Sequence, residues 1–336
     1  MKLLITGASG FIGRRLSQAL LAKGTIGSER IDRLVLVDQV EPDATLAADP
    51  RVESRVGALL SQCASFTGDR FDGVFHLASA VSGECEDDFE LGLRSNLDTT
   101  RALLDALRIA TAAGAQPARL VFASSVAVFG PDPSAPLPAL VGDTTLPAPQ
   151  TSYGTHKLIC ESLIADYTRK GYIDGRAARL MTVTVRPGKP NGAASSFFSG
   201  IIREPLAGVE AICPVDPSTS HPLTSPARTI EGLIAVYEAS REQFVGRLAL
   251  NLPAVNARVS DMLDALERVA GKAVRDRVRF VPDARVAGIV ANWPAGTTAE
   301  RAAHLGLHAD ADFDSIIRQY IADCSASPEA LKGMTR

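Results

Sequence analysis

The chain has 336 residues, 46% hydrophobic and 22% charged, a balance that packs a core and excludes disordered, collagenous and coiled-coil chains. Lys and Arg number 35 against 38 Asp and Glu, a net charge of −3 without a basic run, which argues against nucleic acid as a partner. No stretch approaches the roughly 18 apolar residues of a membrane span, and Thr6, Ser9, three glycines and Arg14-Arg15 interrupt any signal-peptide core, so a folded cytoplasmic protein without membrane contact is expected.

In chain order, apolar runs of strand length stand at 2–6 (KLLIT), 33–38 (RLVLVD), 73–78 (GVFHLA), 119–124 (RLVFAS) and 181–186 (MTVTVR), with a weaker run at 51–56 (RVESRV). Helix patterns fill the gaps at 11–23, stopped by Gly24, at about 89–113, stopped by Gly114, and at about 151–170, stopped by Gly171. Continuous apolar strands separated by helices predict an α/β fold, a doubly wound parallel sheet covered on both faces, over residues 1–188. Prolines at 131, 133, 136, 138, 147 and 149 predict an extended loop. From 189 to 336 the pattern loosens. Helices near 226–240, 258–271 and 312–323, with short strands near 247–252 and 278–281, predict a smaller C-terminal lobe that binds substrate.

The first strand runs into TGASGFIG, which places Gly7, Gly10 and Gly13 between strand and helix. A phosphate approaching the N-terminus of a helix needs backbone amides free of Cβ atoms, so Gly7, Ser9, Gly10, Phe11, Ile12 and Gly13 are candidates for holding a dinucleotide. A plain glycine turn is the competing explanation. Asp38 closes the second strand, where a carboxylate accepts from a ribose 2′-hydroxyl and repels a 2′-phosphate. Gln39, Val40 and Glu41 add no cation, so NAD is expected over NADP; Arg14 and Arg15 read as solvated helix residues.

Further along, TSYGTHK places Tyr153 and Lys157 at i, i+4, on one helix face. A tyrosine titrates near 10, and an adjacent ammonium favours the phenolate; reaching about 7 takes roughly 4 kcal/mol. Such a pair alone is common on exposed helices. Here Ser124-Ser125 ends a strand at the sheet edge where open α/β folds bind ligands, so a hydroxyl can meet a substrate oxygen.

Taken together, GASGFIG, Asp38, HLA (76–78), Asn96, SSVAVFG (124–130), Tyr153-Gly-Thr-His-Lys157 and RPG (186–188) resemble the extended short-chain dehydrogenase/reductases, which include NAD-dependent sugar epimerases and dehydratases. The resemblance spans nearly the whole chain. It implies a Rossmann fold, a catalytic set of Ser125, Tyr153 and Lys157 with Ser124 as close neighbour, and Leu77, Ala78, Asn96 and Pro187 beside NAD. Two departures stand out: Phe129 replaces a tyrosine, and Gly57-Ala58-Leu59 lacks the acidic residue that often meets adenine. The tract 185–206 with NWP (292–294) and 301–321 is similar to the branch that oxidises the four-carbon sugar acid D-erythronate to its 2-keto acid with NAD. That implies a small sugar-acid substrate, held by Ser79, Ser125, Tyr153, Asn191 and Arg203, with Lys189 a further candidate. A homodimer through 89–113 and 151–170 is also implied.

Two alternatives stay open: a nucleotide-sugar 4-epimerase with tightly bound NAD, and a non-catalytic NAD-sensing protein. Cys63, Cys85, Cys160, Cys213 and Cys324 are odd in number and too widely spaced for a zinc pair or a disulfide framework, so buried inert thiols and no metal site are expected. His76 is expected to pack beside the cofactor and His156 to point away from the site. Glu84, Glu86, Asp87, Asp88 and Glu90 are expected to open a helix, where acids suit the dipole.

Overall fold

The computed structural model describes residues 1–188 and 194–334. The chain divides into two compact units that alternate along the sequence: Met1–Val128, Thr151–Arg179 and Ile230–Leu250 form the first, and Phe129–Gln150, Leu180–Thr229 and the residues from Asn251 onward the second. The proline loop thus belongs to the second unit although it precedes residue 188, and 230–250 returns to the first.

In the first unit a seven-stranded sheet is built from β1 (Lys2–Thr6), β2 (Arg33–Asp38), β3 (Val52–Val56), β4 (Gly73–His76), β5 (Arg119–Ser125), β6 (Asp174–Leu180) and β7 (Leu250–Asn251), in the spatial order 3-2-1-4-5-6-7. The pairs β1–β2, β2–β3, β1–β4 and β4–β5 are parallel. Because strand order reverses around β1, the crevice beyond the ends of β1 and β4 is where such sheets take a ligand. Helices α1 (Phe11–Lys23), α2 (Thr99–Ala112) and α3 (Ser152–Arg169) supply crossovers. Leu4, Val35, Val74, Leu120 and Phe122 pack with Leu103, Leu104, Leu107 and Ile164 in one core, each such side chain contributing about 1.5–3 kcal/mol on burial. Gly24 ends α1 in the left-handed conformation, as its position predicts.

Three sequence expectations are corrected. The run 181–186 is not a strand of the large sheet: Thr182–Val183 pairs with Ser220–Thr224 in a three-stranded sheet of the second unit. The sheet strand is DGRAARL (174–180), whose arginines hide it from an apolar search. Arg176 is fully buried because Nη1 donates to the carbonyls of Val236, Tyr237 and Ala239 at the end of helix Pro226–Glu238, where a cation suits the dipole. The helix expected over 89–113 is interrupted: Phe89–Gly92 leads into a π-helical segment, Leu93–Asp98, before α2, a widening typical of functional sites. Finally, the loose tract after 188 contains a helix, Ser196–Leu206, whose Phe198, Ile201, Ile202 and Leu206 join the second unit's core with Leu223, Val259, Met262 and Ile317.

Candidate active site

The glycine loop forms where β1 ends. Gly7 has a φ of 70°, and a Cβ there would lie 2.7 Å from the Ala78 amide nitrogen. A Cβ on Gly13 would lie 2.1 Å from the Gly7 carbonyl oxygen, so α1 packs against the loop only with glycine at that position. Gly10 caps α1 without a side-chain bond, and the first turn, which opens with Phe11 and Ile12, holds no acid. Its amides and positive dipole end therefore suit an anion.

Asp38 is tied to this loop: Oδ2 accepts from the Ser9 amide at 2.9 Å and Oδ1 from the Val40 amide at 3.3 Å. Arg14 is half exposed and 4.0 Å from Asp43, and the Arg15 guanidinium lies over the Phe11 ring. At the end of β3, Gly57 donates its amide to the Asp38 carbonyl at 2.8 Å.

Behind β1 and β4 runs a polar chain. Thr6 Oγ1 accepts from the amides of Leu77 and Ala78, so its own proton goes to His76 Nδ1 at 2.7 Å. His76 Nε2–H then donates to Thr100 Oγ1 at 2.9 Å, and that hydroxyl to the Asn96 carbonyl at 2.5 Å. Burial, with a smaller contribution from Lys157, pushes His76 down to about 3, so the imidazole is neutral. The Asn96 side chain, in the π segment, accepts from the Ala80 amide at 2.7 Å and the Ser79 hydroxyl at 3.0 Å. Among the described residues no group of three His, Cys, Asp or Glu side chains could hold a metal ion.

The end of β5 separates the two serines. Ser124 is buried and donates to Glu161 Oε1 at 2.5 Å; Ser125, half-buried, accepts from the Ala127 amide at 3.1 Å. Ser124 thus faces α3, while Ser125 ends the strand. Thr151 caps α3 by accepting from the Gly154 amide at 3.1 Å, which sets Tyr153 and Lys157 in its first turns. Lys157 is 3% exposed and donates from Nζ to the Ala123 carbonyl at 2.7 Å. The ammonium lies 5.5 Å from the Tyr153 ring centroid and 4.7 Å from that of Phe122. Burial lowers Lys157 to about 8, partly offset by Cys160, Cys85 and Glu161.

His156 is buried, its ring 6.5 Å from that of Phe89. Asp88 caps Phe89–Gly92, while Glu86 accepts from the Ser152 amide at 2.7 Å, a carboxylate at the start of α3. All five cysteines are free and buried. In the second unit Pro187 is half-buried, and Arg203 is buried with Nη1 donating to the Arg186 carbonyl at 2.8 Å and Nη2 to Glu204 at 2.5 Å. Asn191 and Lys189 lie outside the described residues. Glu161 and Arg179 went unnoticed in the sequence; the signal was present, since Glu161 follows Lys157 by four residues.

A parallel doubly wound sheet with a glycine turn after β1 and an acid closing β2 defines a dinucleotide-binding protein. The profile of the NAD dependent epimerase/dehydratase family matches residues 3–219, and the chain belongs to that family. The chain is 47% identical over 329 residues to a D-erythronate dehydrogenase of Cupriavidus necator, covering 96% of this chain and 98% of the relative. It is 38% identical to a D-erythronate dehydrogenase of Haemophilus influenzae, over 96% and 99% of the two chains. Among solved structures, a nucleoside-diphosphate-sugar epimerase from Agrobacterium tumefaciens is 40% identical, with a TM-score of 0.92 over 98% of this chain and 96% of that one. The uncapped α1 terminus and the Asp38 carboxylate fit NAD. Among the described residues no helix is long and apolar enough to cross a membrane.

Proposed function

We propose that this chain is an NAD-dependent dehydrogenase that oxidises D-erythronate at C2 to 2-dehydro-D-erythronate. The carrying observation is the Lys157 ammonium, 5.5 Å from the Tyr153 ring centroid and bonded to the Ala123 carbonyl two residues before Ser125, in the same unit as the Gly7–Gly13 turn and Asp38; the two D-erythronate dehydrogenases that match nearly end to end support the substrate.

In this reading Gly7, Ser9, Gly10, Phe11, Ile12 and Gly13 hold the pyrophosphate, Asp38 the adenosine ribose, and Leu77, Ala78, Asn96 and Pro187 flank the rest of NAD. Bound NAD supplies a hydride acceptor. The Lys157 ammonium favours the Tyr153 phenolate, which takes the proton of the C2 hydroxyl as the C2 hydride leaves; the carbon becomes a carbonyl. Ser125 donates a hydrogen bond to the substrate oxygen, and Ser79, Asn191 and Arg203 are candidate partners for the rest of the acid.

NADH formation with NAD and a panel of four- to six-carbon aldonic acids, both erythronate and threonate included, tests the reading. NAD-selective turnover on D-erythronate supports it. Silence across the panel with NAD co-purifying favours a nucleotide-sugar 4-epimerase. A homodimer through α2, α3 and the segment before them is part of the same proposal, supported by the exposed Phe89, Ile109 and Ile159; light scattering measures it.

A further inference from the structure

Glu161 lies one helical turn beyond Lys157, so both project from one face of α3. The sheet offers its carboxylate three donors. Ser124, on β5, donates to Oε1, and Arg179, on β6, donates Nε to Oε1 at 2.9 Å and Nη2 to Oε2 at 2.8 Å. The ion pair is dry, with side-chain exposures of 6% and 7%, and removing one member of such a pair leaves a costly buried charge. The chemistry proposed above uses none of these three groups. Yet three consecutive residues of β5 engage the site: Ala123 receives Lys157 on its carbonyl, Ser124 binds Glu161, and Ser125 carries the candidate hydroxyl.

We propose that Glu161 is a positioning residue: clamped by Ser124 and Arg179, its carboxylate fixes the height of α3 against the end of β5 and keeps Lys157 an ammonium beside Tyr153. The groups facing Lys157 are Tyr153, Cys160 and Glu161 from its own helix, Cys85 from Ser82–Asp87 and His76 from β4, with Arg179 of β6 behind Glu161. His76 is neutral, and burial raises both thiols, which stay protonated near neutrality. Glu161 is the carboxylate among these groups, and its charge favours the ammonium with Arg179 beside it.

The activity readout of this inference rests on the dehydrogenase reading; a second readout does not. Full-length protein carrying [ε-13C]lysine, with the Lys157 resonance assigned by its loss in Lys157→Met, reports the Lys157 titration directly. In Glu161→Gln that titration is expected to move to lower pH by roughly a few tenths of a unit, the alkaline limb of kcat/KM to move with it, and kcat to fall about tenfold. Glu161→Asp keeps the charge but loses reach, so the titration stays in place while kcat falls. Should Glu161→Gln not fold, Glu161→Gln/Arg179→Gln leaves no unpaired charge and moves the titration the same way by less. Titration and turnover unchanged in the Gln variants, with only thermal stability lowered, would overturn the proposal. If the parent oxidises no sugar acid, the functional reading fails while the lysine titration still decides the role of Glu161.

Discussion

The Lys157 ammonium sits 2.7 Å from the carbonyl oxygen of Ala123 and 5.5 Å from the centroid of the Tyr153 ring. A strand carbonyl thereby holds the charge in place, and the helix spacing brings the phenol to it. The strand end and the helix start act as one device.

From that device follows the behaviour of Tyr153→Phe, which removes the hydroxyl and keeps the ring. Turnover is expected to fall at least about a hundredfold while NAD affinity changes less than about threefold. Steady-state kinetics and calorimetric titration with NAD check the two halves. Loss of NAD binding in place of turnover would count against the catalytic assignment.

The alkaline side of the pH profile belongs to Lys157. Its folded value, about 8, lies below the ordinary 10.5, so the ammonium is lost as pH rises through 8. In free enzyme kcat/KM is expected to decline above that pH. Stability moves the other way: between about 8 and 10.5 the unfolded chain binds the extra proton, so this group's penalty, full below 8, is relieved as pH rises. Denaturation series at several alkaline pH values read the slope.

Two buried histidines predict the acid side. Burial lowers His76 to about 3 and His221 to about 4, from 6.5. The unfolded chain takes up protons that the folded one refuses, so stability is intact above 6.5 and lost as pH falls below it, by about 1.4 kcal/mol per pH unit for each group. Urea midpoints at pH 7 and pH 5 measure the loss, and His76→Gln should flatten it. An unchanged slope in that variant would remove His76 from the account.

Gly13→Ala places a methyl 2.1 Å from the Gly7 carbonyl oxygen. The loop or α1 must shift, and a loss of about 2 kcal/mol or more is expected, together with NAD affinity at least about tenfold weaker. Thermal unfolding with and without NAD separates the effects.

Asp38→Ser with Gln39→Arg replaces the acid at the end of β2 by a cation next to it. NAD affinity should fall about tenfold and NADP affinity rise, since the carboxylate that repels a 2′-phosphate is gone. Binding of both nucleotides to the pair of proteins is the check.

By itself the sequence determined what rests on local spacing. Apolar runs separated by helical stretches specify the doubly wound sheet, because burial on both faces demands continuous hydrophobic strands. The Gly7–Gly13 turn, Asp38 and the Tyr153–Lys157 pair were legible because each depends on backbone conformation or helix pitch. Tertiary structure decided what depends on partners far along the chain. Strand 174–180 reads as polar until Arg176 meets three carbonyls some 60 residues later and Arg179 meets Glu161. Ser124 and Ser125 are equivalent as letters; only the position of Glu161 in the fold buries one against α3 and leaves the other half-buried at the strand end. A charge or hydroxyl inside a protein is tolerated only where another segment satisfies it, and that information lies in the fold.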